Sequence, residues 1–189
     1  MDDKLLIEKI AMRDEAAFKQ FVEKYHQMVI NICNSILHDY DDSMDVSQEV
    51  FIKIYESIDQ FRGDAKITTW LYRISVNKSL NFLRSKKRNK WFTSLDVIFG
   101  DEKKQIDPVD DTPQPGQEME QDQDKKVLHD ALKKIPEKQN AAISLSHFQE
   151  LSYKEIAEIM NISVSEVGVL INRGKKKLQR VIIDYYKKN

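Results

Sequence analysis

The sequence predicts an all-α fold of two small helical domains joined by an acidic flexible linker, and three observations carry that prediction. Apolar residues recur at three- and four-residue spacings almost everywhere outside one stretch, and no strand-like run competes with them. Only five Gly and four Pro interrupt the 189 residues, which argues for the same class. Three of those prolines, Pro108, Pro113 and Pro115, fall with Gly100 and Gly116 in the one aperiodic stretch, 93–124. Such a stretch cannot bury enough apolar surface to offset its ordering entropy, so it reads as an extended or disordered linker. The domains are then 1–92 and 125–189.

In the first domain a short helix runs from Asp3 to Ala11. A longer one follows from Asp14, an N-cap, through Phe18, Phe21, Val22, Tyr25, Val29, Ile32 and Ile36. A third spans roughly Met44 to Ile58, with Val46, Val50, Phe51 and Ile54 inward and Asp45, Gln48, Glu49 and Lys53 outward. Asp59 to Lys66 reads as a loop with Gly63-Asp64 as its turn signal. A fourth helix begins near Thr68 and enters the basic block Arg84, Lys86, Lys87, Arg88 and Lys90. At 100° per residue Lys66, Arg73, Asn77, Arg84 and Arg88 share one narrow stripe with Trp70 at its margin, while Ile67, Leu71, Ile74 and Phe82 form a separate sector that supplies the packing. A basic stripe beside an aromatic suits nucleic acid. The competing reading pairs Arg73 and Arg84 with acidic neighbours and puts Trp70 in the core.

In the second domain two capping boxes follow one another. Ser152-Tyr153-Lys154-Glu155 opens one helix, and Ser163-Val164-Ser165-Glu166 opens the next after the break at Asn161-Ile162. Two helix starts this close outline a helix-turn-helix. Ile156, Ala157, Ile159 and Met160 on the first helix face Val164, Val167, Ile171, Gly174 and Leu178 on the second. The second helix keeps a free face with Asn172, Arg173, Lys175, Lys176, Gln179 and Arg180, side chains suited to phosphates and base edges.

The net charge of -1 hides an uneven distribution: basic at 84–90, acidic through the linker, and basic again from Arg173 onward. Four scattered His and a single Cys33 in a helical pattern offer no zinc spacing and no disulfide, so no metal is expected and the thiol reads as buried. Asp39, Asp41, Asp42 and Asp45 as a hydrolytic metal site lack the Gly and terminal Glu of a calcium loop and read better as caps. No phosphate-binding Gly loop, nucleophile elbow or cofactor fingerprint occurs, so neither an enzyme nor a cofactor is expected. The N-terminus lacks a secretory pattern, and no apolar run reaches the ~18 residues of a membrane span. The expectation is a soluble cytoplasmic protein.

These segments resemble the extracytoplasmic-function group of bacterial sigma factors, in the sigma-70 family, over nearly the whole chain. The resemblance is carried by Asp45-Val46-Ser47-Gln48-Glu49-Val50-Phe51, by Phe61-Arg62-Gly63, by Thr69-Trp70-Leu71-Tyr72-Arg73-Ile74-Ser75-Val76-Asn77, and by the helix-turn-helix. It implies that the first domain, sigma region 2, binds core RNA polymerase through Asp45, Gln48, Glu49 and Lys53. The same domain would hold the single-stranded minus-ten element through Phe61, Arg62, Gly63, Asp64, Lys66, Trp70, Arg73, Asn77, Arg84 and Arg88, with the loop beside Asn77 receiving an unstacked base. The second domain, sigma region 4, would bind the duplex minus-thirty-five element through Ser165, Gly168, Asn172, Arg173, Lys175, Lys176 and Gln179. An anti-sigma protein is a partner typical of the family, and no residue here demonstrates one.

The chain departs from the family pattern at Gly168 and Leu170, where cations are usual. Gly inside a helix costs roughly 1 kcal/mol against Ala, so Gly168 either permits close approach to DNA or reflects a different promoter. The rival reading, a homodimeric helix-turn-helix repressor or activator, leaves Asp45 to Phe51 and the Trp70 helix unexplained.

Overall fold

The computed structural model describes residues 2–61, 63, 66–99 and 127–188, and side chains except those of 90–99 and 188. Helix follows helix, with no strand among the described residues. α1 covers Asp3–Ala11 and α2 Glu15–Leu37; the Asp14 carboxylate caps α2 by accepting from the Ala17 N–H at 3.0 Å. α3 runs Tyr40–Ser57, starting ahead of the Met44 expected from periodicity. Its start is set by Asp39, whose carboxylate accepts from the Asp42 N–H at 3.0 Å, with Asp41 and Asp42 favourably placed at the positive helix end.

A 3₁₀ turn at Ile58–Gln60 and a left-handed Gly63 (φ 78°) lead into α4, Ile67–Phe99. Only glycine takes that φ without strain, which accounts for the turn signal. α4 is helical beyond Thr93, where the linker was expected to begin. No Gly or Pro occurs between Ile67 and Gly100, and an established helix propagates readily until a breaker. The rest of the expected linker lies outside the described residues. Residues 127–133 form α5, followed by α6 (Glu137–His147), α7 (Tyr153–Met160) and α8 (Val164–Lys188).

Leu6, Ile10, Phe21, Val29, Cys33, Val50, Ile54 and Leu71 belong to the core of the first domain. A second cluster crosses the domain boundary: Ile32 and Ile36 of α2 and Val76 and Leu80 of α4 pack with Ala141, Ala142 and Leu145 of α6, Ile156 and Ile159 of α7, and Val167 and Ile171 of α8. The physical cause lies in the helical wheel. Val76 and Leu80 stand on the side of α4 opposite Ile67, Leu71 and Ile74, so α4 is apolar on two faces and needs a second neighbour.

Several polar groups caught in this contact are paired across it, although Arg73 Nε and Gln139 Oε1 are buried without a hydrogen-bond partner among the described residues. His38 Nε2 lies 3.0 Å from Asn140 Oδ1, Asn140 Nδ2 donates to the Ile36 carbonyl at 2.8 Å, and the Ser144 hydroxyl donates to the Ser35 carbonyl. The Tyr72 hydroxyl donates to Gln149 Oε1 at 3.1 Å. Pairing matters here because an unmet buried donor or acceptor costs about 1–3 kcal/mol.

Candidate nucleic-acid interface

Both capping boxes close. The Glu155 carboxylate accepts from the Ser152 N–H at 2.9 Å, and the Glu166 carboxylate from the Ser163 N–H at 2.8 Å; each Ser hydroxyl accepts from the N–H three residues on. Donation from the Ser152 hydroxyl and N–H lowers the Glu155 carboxyl from its ordinary value, and donation from the Ser163 N–H and hydroxyl lowers that of Glu166. Between the boxes Asn161 takes a left-handed φ of 52°, which turns the chain sharply enough for α7 and α8 to form the expected corner.

Val167 and Ile171 are buried, whereas Ser165, Asn172, Arg173, Lys175, Lys176 and Gln179 are exposed together and Gly168 is half-buried. Val164, expected to pack against α7, is instead 50% exposed at the first position of α8. The two glycines of α8 differ. A Cβ on Gly174 would stand 2.6 Å from Ile143 Cδ1 and 3.2 Å from Gln139 Cβ, so α6 and α8 approach closely there. A Cβ on Gly168 would meet only Tyr153 Cε2, at an ordinary 3.9 Å. Packing therefore does not require Gly168. Leu170, in the other position lacking a cation, packs against the cluster that crosses the domain boundary.

Along α4, Lys66, Asn77, Arg84 and Arg88 are exposed, and Arg84 donates to Asn81 Oδ1 at 3.2 Å. Arg73 differs: its guanidinium donates to the Glu158 carbonyl of α7 at 3.1 Å, with the Glu158 carboxylate 4.0 Å away. The expected acidic partner for Arg73 thus exists, but on the second domain. Trp70 is half-buried on the first core and packs against Phe61, ring centroids 5.3 Å apart. A groove of about 740 Å³ is lined by Asp3, Lys4, Ile7 and Glu8 of α1 with Phe61, Gly63, Lys66, Ile67 and Thr68. Asn77 is not part of that lining; it stands about 16 Å further along α4 than Lys66 at 1.5 Å per residue. Arg62 and Asp64 lie outside the described residues.

On α3, Asp45, Gln48, Glu49 and Lys53 are all exposed on one side, while Val46, Val50, Phe51 and Ile54 are buried on the other. Lys78 of α4 donates to Glu49 at 2.9 Å, and Lys53 faces Glu56 at 3.8 Å. Ile52, 58% exposed at the middle of this face, was missed by the sequence reading. So was Val169, 46% exposed on α8. Extending the wheel used for α4 to α3 and α8 finds both. Asp39 caps α3 and Asp42 pairs with Lys86. Among the described residues no helix is long and apolar enough to cross a membrane.

A helix-turn-helix with a free polar face, beside a second helix with an exposed cationic stripe, defines a DNA-binding protein of transcription. The chain matches the family models for sigma-70 region 2 over residues 21–89 and sigma-70 region 4 over residues 125–178. It is 33% identical to the ECF RNA polymerase sigma-E factor of Haemophilus influenzae, over 96% of each chain. It is 31% identical to the RNA polymerase sigma-H factor of Pseudomonas aeruginosa, over 95% of this chain and 93% of that one. Two solved structures share the fold: CnrH in complex with the cytosolic domain of CnrY (TM-score 0.64, 20% identity, 96% and 97% covered), and the sigma factor RpoE in complex with the anti-sigma factor NepR from Bartonella quintana (TM-score 0.61, 21% identity, 87% and 96% covered). The chain belongs to the extracytoplasmic-function group of the sigma-70 family. It is an RNA polymerase sigma factor, a non-enzymatic subunit that directs promoter-specific initiation.

Proposed function

We propose a division of labour among three exposed helix faces. Asp45, Gln48, Glu49 and Lys53 on α3 dock core RNA polymerase. Lys66, Trp70, Arg73, Asn77, Arg84 and Arg88, with Phe61, Arg62, Gly63 and Asp64 before them, hold the single-stranded minus-ten element. Ser165, Gly168, Asn172, Arg173, Lys175, Lys176 and Gln179 on α8 hold the minus-thirty-five duplex. Residues 1–92 and 125–189 are then the working domains, with 93–124 connecting them. The observation that carries this reading is the separation of charge. The α3 face mixes carboxylates with an amide and one cation, as suits a protein partner, whereas the α4 and α8 faces carry the cations that phosphates require.

The same reading makes the packed arrangement the resting form. Elements at minus-ten and minus-thirty-five lie about 25 base pairs apart, or about 85 Å at 3.4 Å per pair. A compact chain of this length has a radius of gyration of only about 16 Å. One copy therefore reaches both elements only after its domains part, which also releases Arg73 from Glu158. Core polymerase, binding both domains, drives that opening to the extent that it prefers the open form. By analogy with CnrH and RpoE, an anti-sigma protein is a fitting further partner, and the cytoplasm the place of action.

The test is to combine the purified chain with core RNA polymerase and map transcription starts on fragmented genomic DNA of its source. Discrete starts preceded by two shared sequence elements are the expected result. Specific duplex protection by the chain alone, with no starts, would replace this reading with a dimeric regulator.

A further inference from the structure

We propose that Val169 selects an A·T pair in the minus-thirty-five duplex by packing on the thymine methyl group. The inference rests on the reading of α8 as the helix that enters the major groove. Val167, Ile171, Gly174 and Leu178 define the inward side of α8, and at 100° per residue Val169 points about 170° away from their mean direction. Lys176, two turns on, shares this outward direction, and within its own turn of the helix Val169 is the side chain aimed most directly outward. One turn to either side stand Ser165, Asn172 and Arg173, all exposed, so an apolar side chain sits at the centre of a polar and cationic face.

Packing within the chain does not account for it. Val169 is 46% exposed and belongs to none of the apolar clusters, unlike Leu170 beside it. Gly168, on its other side, carries no side chain, and the space a Cβ would fill meets only Tyr153 Cε2 at 3.9 Å. The backbone around Val169 is thus bare on one flank, which leaves the valine methyls as the leading surface of the helix at this level.

In the major groove the thymine C5 methyl is the one apolar group a base pair presents, while guanine and cytosine offer only acceptors or donors there. Valine has neither donor nor acceptor. Against a G·C pair it would strip water from a polar base edge and return nothing, whereas against thymine it buries two apolar surfaces. Asn172 and Arg173, three and four residues on, are then free to hydrogen-bond the neighbouring adenine or guanine edges. This makes Val169 a specificity determinant and shifts the readout at its position from charge to shape.

Replacing single thymines of the mapped minus-thirty-five element with deoxyuridine removes the methyl and keeps every hydrogen-bonding group. With holoenzyme reconstituted from the full chain and core polymerase, one position should lose about fourfold in promoter affinity, the worth of one buried methyl-sized group. Val169→Ser holoenzyme should be indifferent to that replacement, while thermal melting shows the variant chain folded. The proposal is overturned if no single thymine is sensitive, if the element has none on either strand, or if the sensitivity persists in the variant. Absence of discrete starts on the unmodified promoter is a different result, and would strike the sigma assignments of the α8 face instead.

Discussion

His38 Nε2 lies 3.0 Å from Asn140 Oδ1 at the contact between regions 2 and 4. The orientation of the pair is fixed by its neighbours. Asn140 Nδ2 donates to the Ile36 carbonyl, so its oxygen faces the imidazole and accepts from a hydrogen on Nε2, which fixes the Nε2–H tautomer when the ring is neutral. His38 is itself the left-handed residue (φ 55°) that ends α2. A helix terminus and a domain contact therefore share one side chain.

That pair makes the contact sensitive to acid. Burial holds the His38 imidazole down at about 4, with the nearby His129 and Lys133 pushing the same way and the Asn140 bond opposing them. Once the domains part, the ring regains its ordinary value of about 6.5. A lowered value in the packed state means the contact is at full strength above about pH 6.5 and weakens by about 1.4 kcal/mol per unit as pH falls toward 4. Distances between labels on α3 and α8 should lengthen between pH 6.5 and 5. His38→Asn, which tolerates the left-handed backbone and does not titrate, should flatten that response.

Removing the partner should have the same effect at neutral pH. Asn140→Ala strands the His38 N–H and the Ile36 carbonyl, each at about 1–3 kcal/mol where water cannot reach them. The expected result is a larger radius of gyration for the free chain by small-angle scattering, with helix content unchanged. If the packed form is at rest, the variant should also bind core polymerase more tightly, since the competent fraction rises. Unchanged scattering would mean that the apolar cluster alone holds the domains together.

The glycines of α8 give a prediction of opposite signs. Gly168→Ala meets nothing closer than 3.9 Å and should raise stability by up to roughly 1 kcal/mol through helix propensity. Gly174→Ala drives a methyl to 2.6 Å from Ile143 Cδ1 and 3.2 Å from Gln139 Cβ. Ile143 can rotate away, but the Gln139 backbone must follow, so the net should be destabilising. Thermal melting of the two variants side by side decides it.

Much of this molecule was readable in the sequence because the signals are local. The Ser152–Glu155 and Ser163–Glu166 boxes, the Asp14 cap and the Gly63 turn each depend on residues within four of one another, and all appear as expected. The outward placement of Asp45, Gln48 and Glu49 followed from periodicity alone. What was missed is long-range. Ile32, Ile36, Val76 and Leu80 read equally well as parts of region 2's own core, and nothing local reveals that Ala141, Leu145 and Ile156 cover them. An acidic neighbour for Arg73 was considered within its own domain, whereas its partner, the Glu158 carbonyl, is 85 residues away. The early start of α3 was missed for a smaller reason, the choice among several consecutive Asp residues as cap.

The two kinds of contact on the α4 stripe should separate by their salt dependence. Arg84 is exposed and donates to Asn81 within its own helix; among the described residues no carboxylate pairs with it, which leaves its charge available to neutralise a phosphate. A cation on single-stranded DNA contributes about 0.7 to the slope of log K against log salt. Arg84→Ala should therefore weaken binding to every minus-ten sequence alike and flatten that slope by about this amount. Asn77, also exposed, has an amide able to hydrogen-bond a base edge and no charge to release counterions. Asn77→Ala should leave the slope unchanged and alter preference at one minus-ten position. Open-complex formation on a panel of minus-ten variants at three salt concentrations measures both quantities at once. Equal, sequence-independent losses for the two variants would remove Asn77 from base recognition and leave the stripe as a purely electrostatic surface.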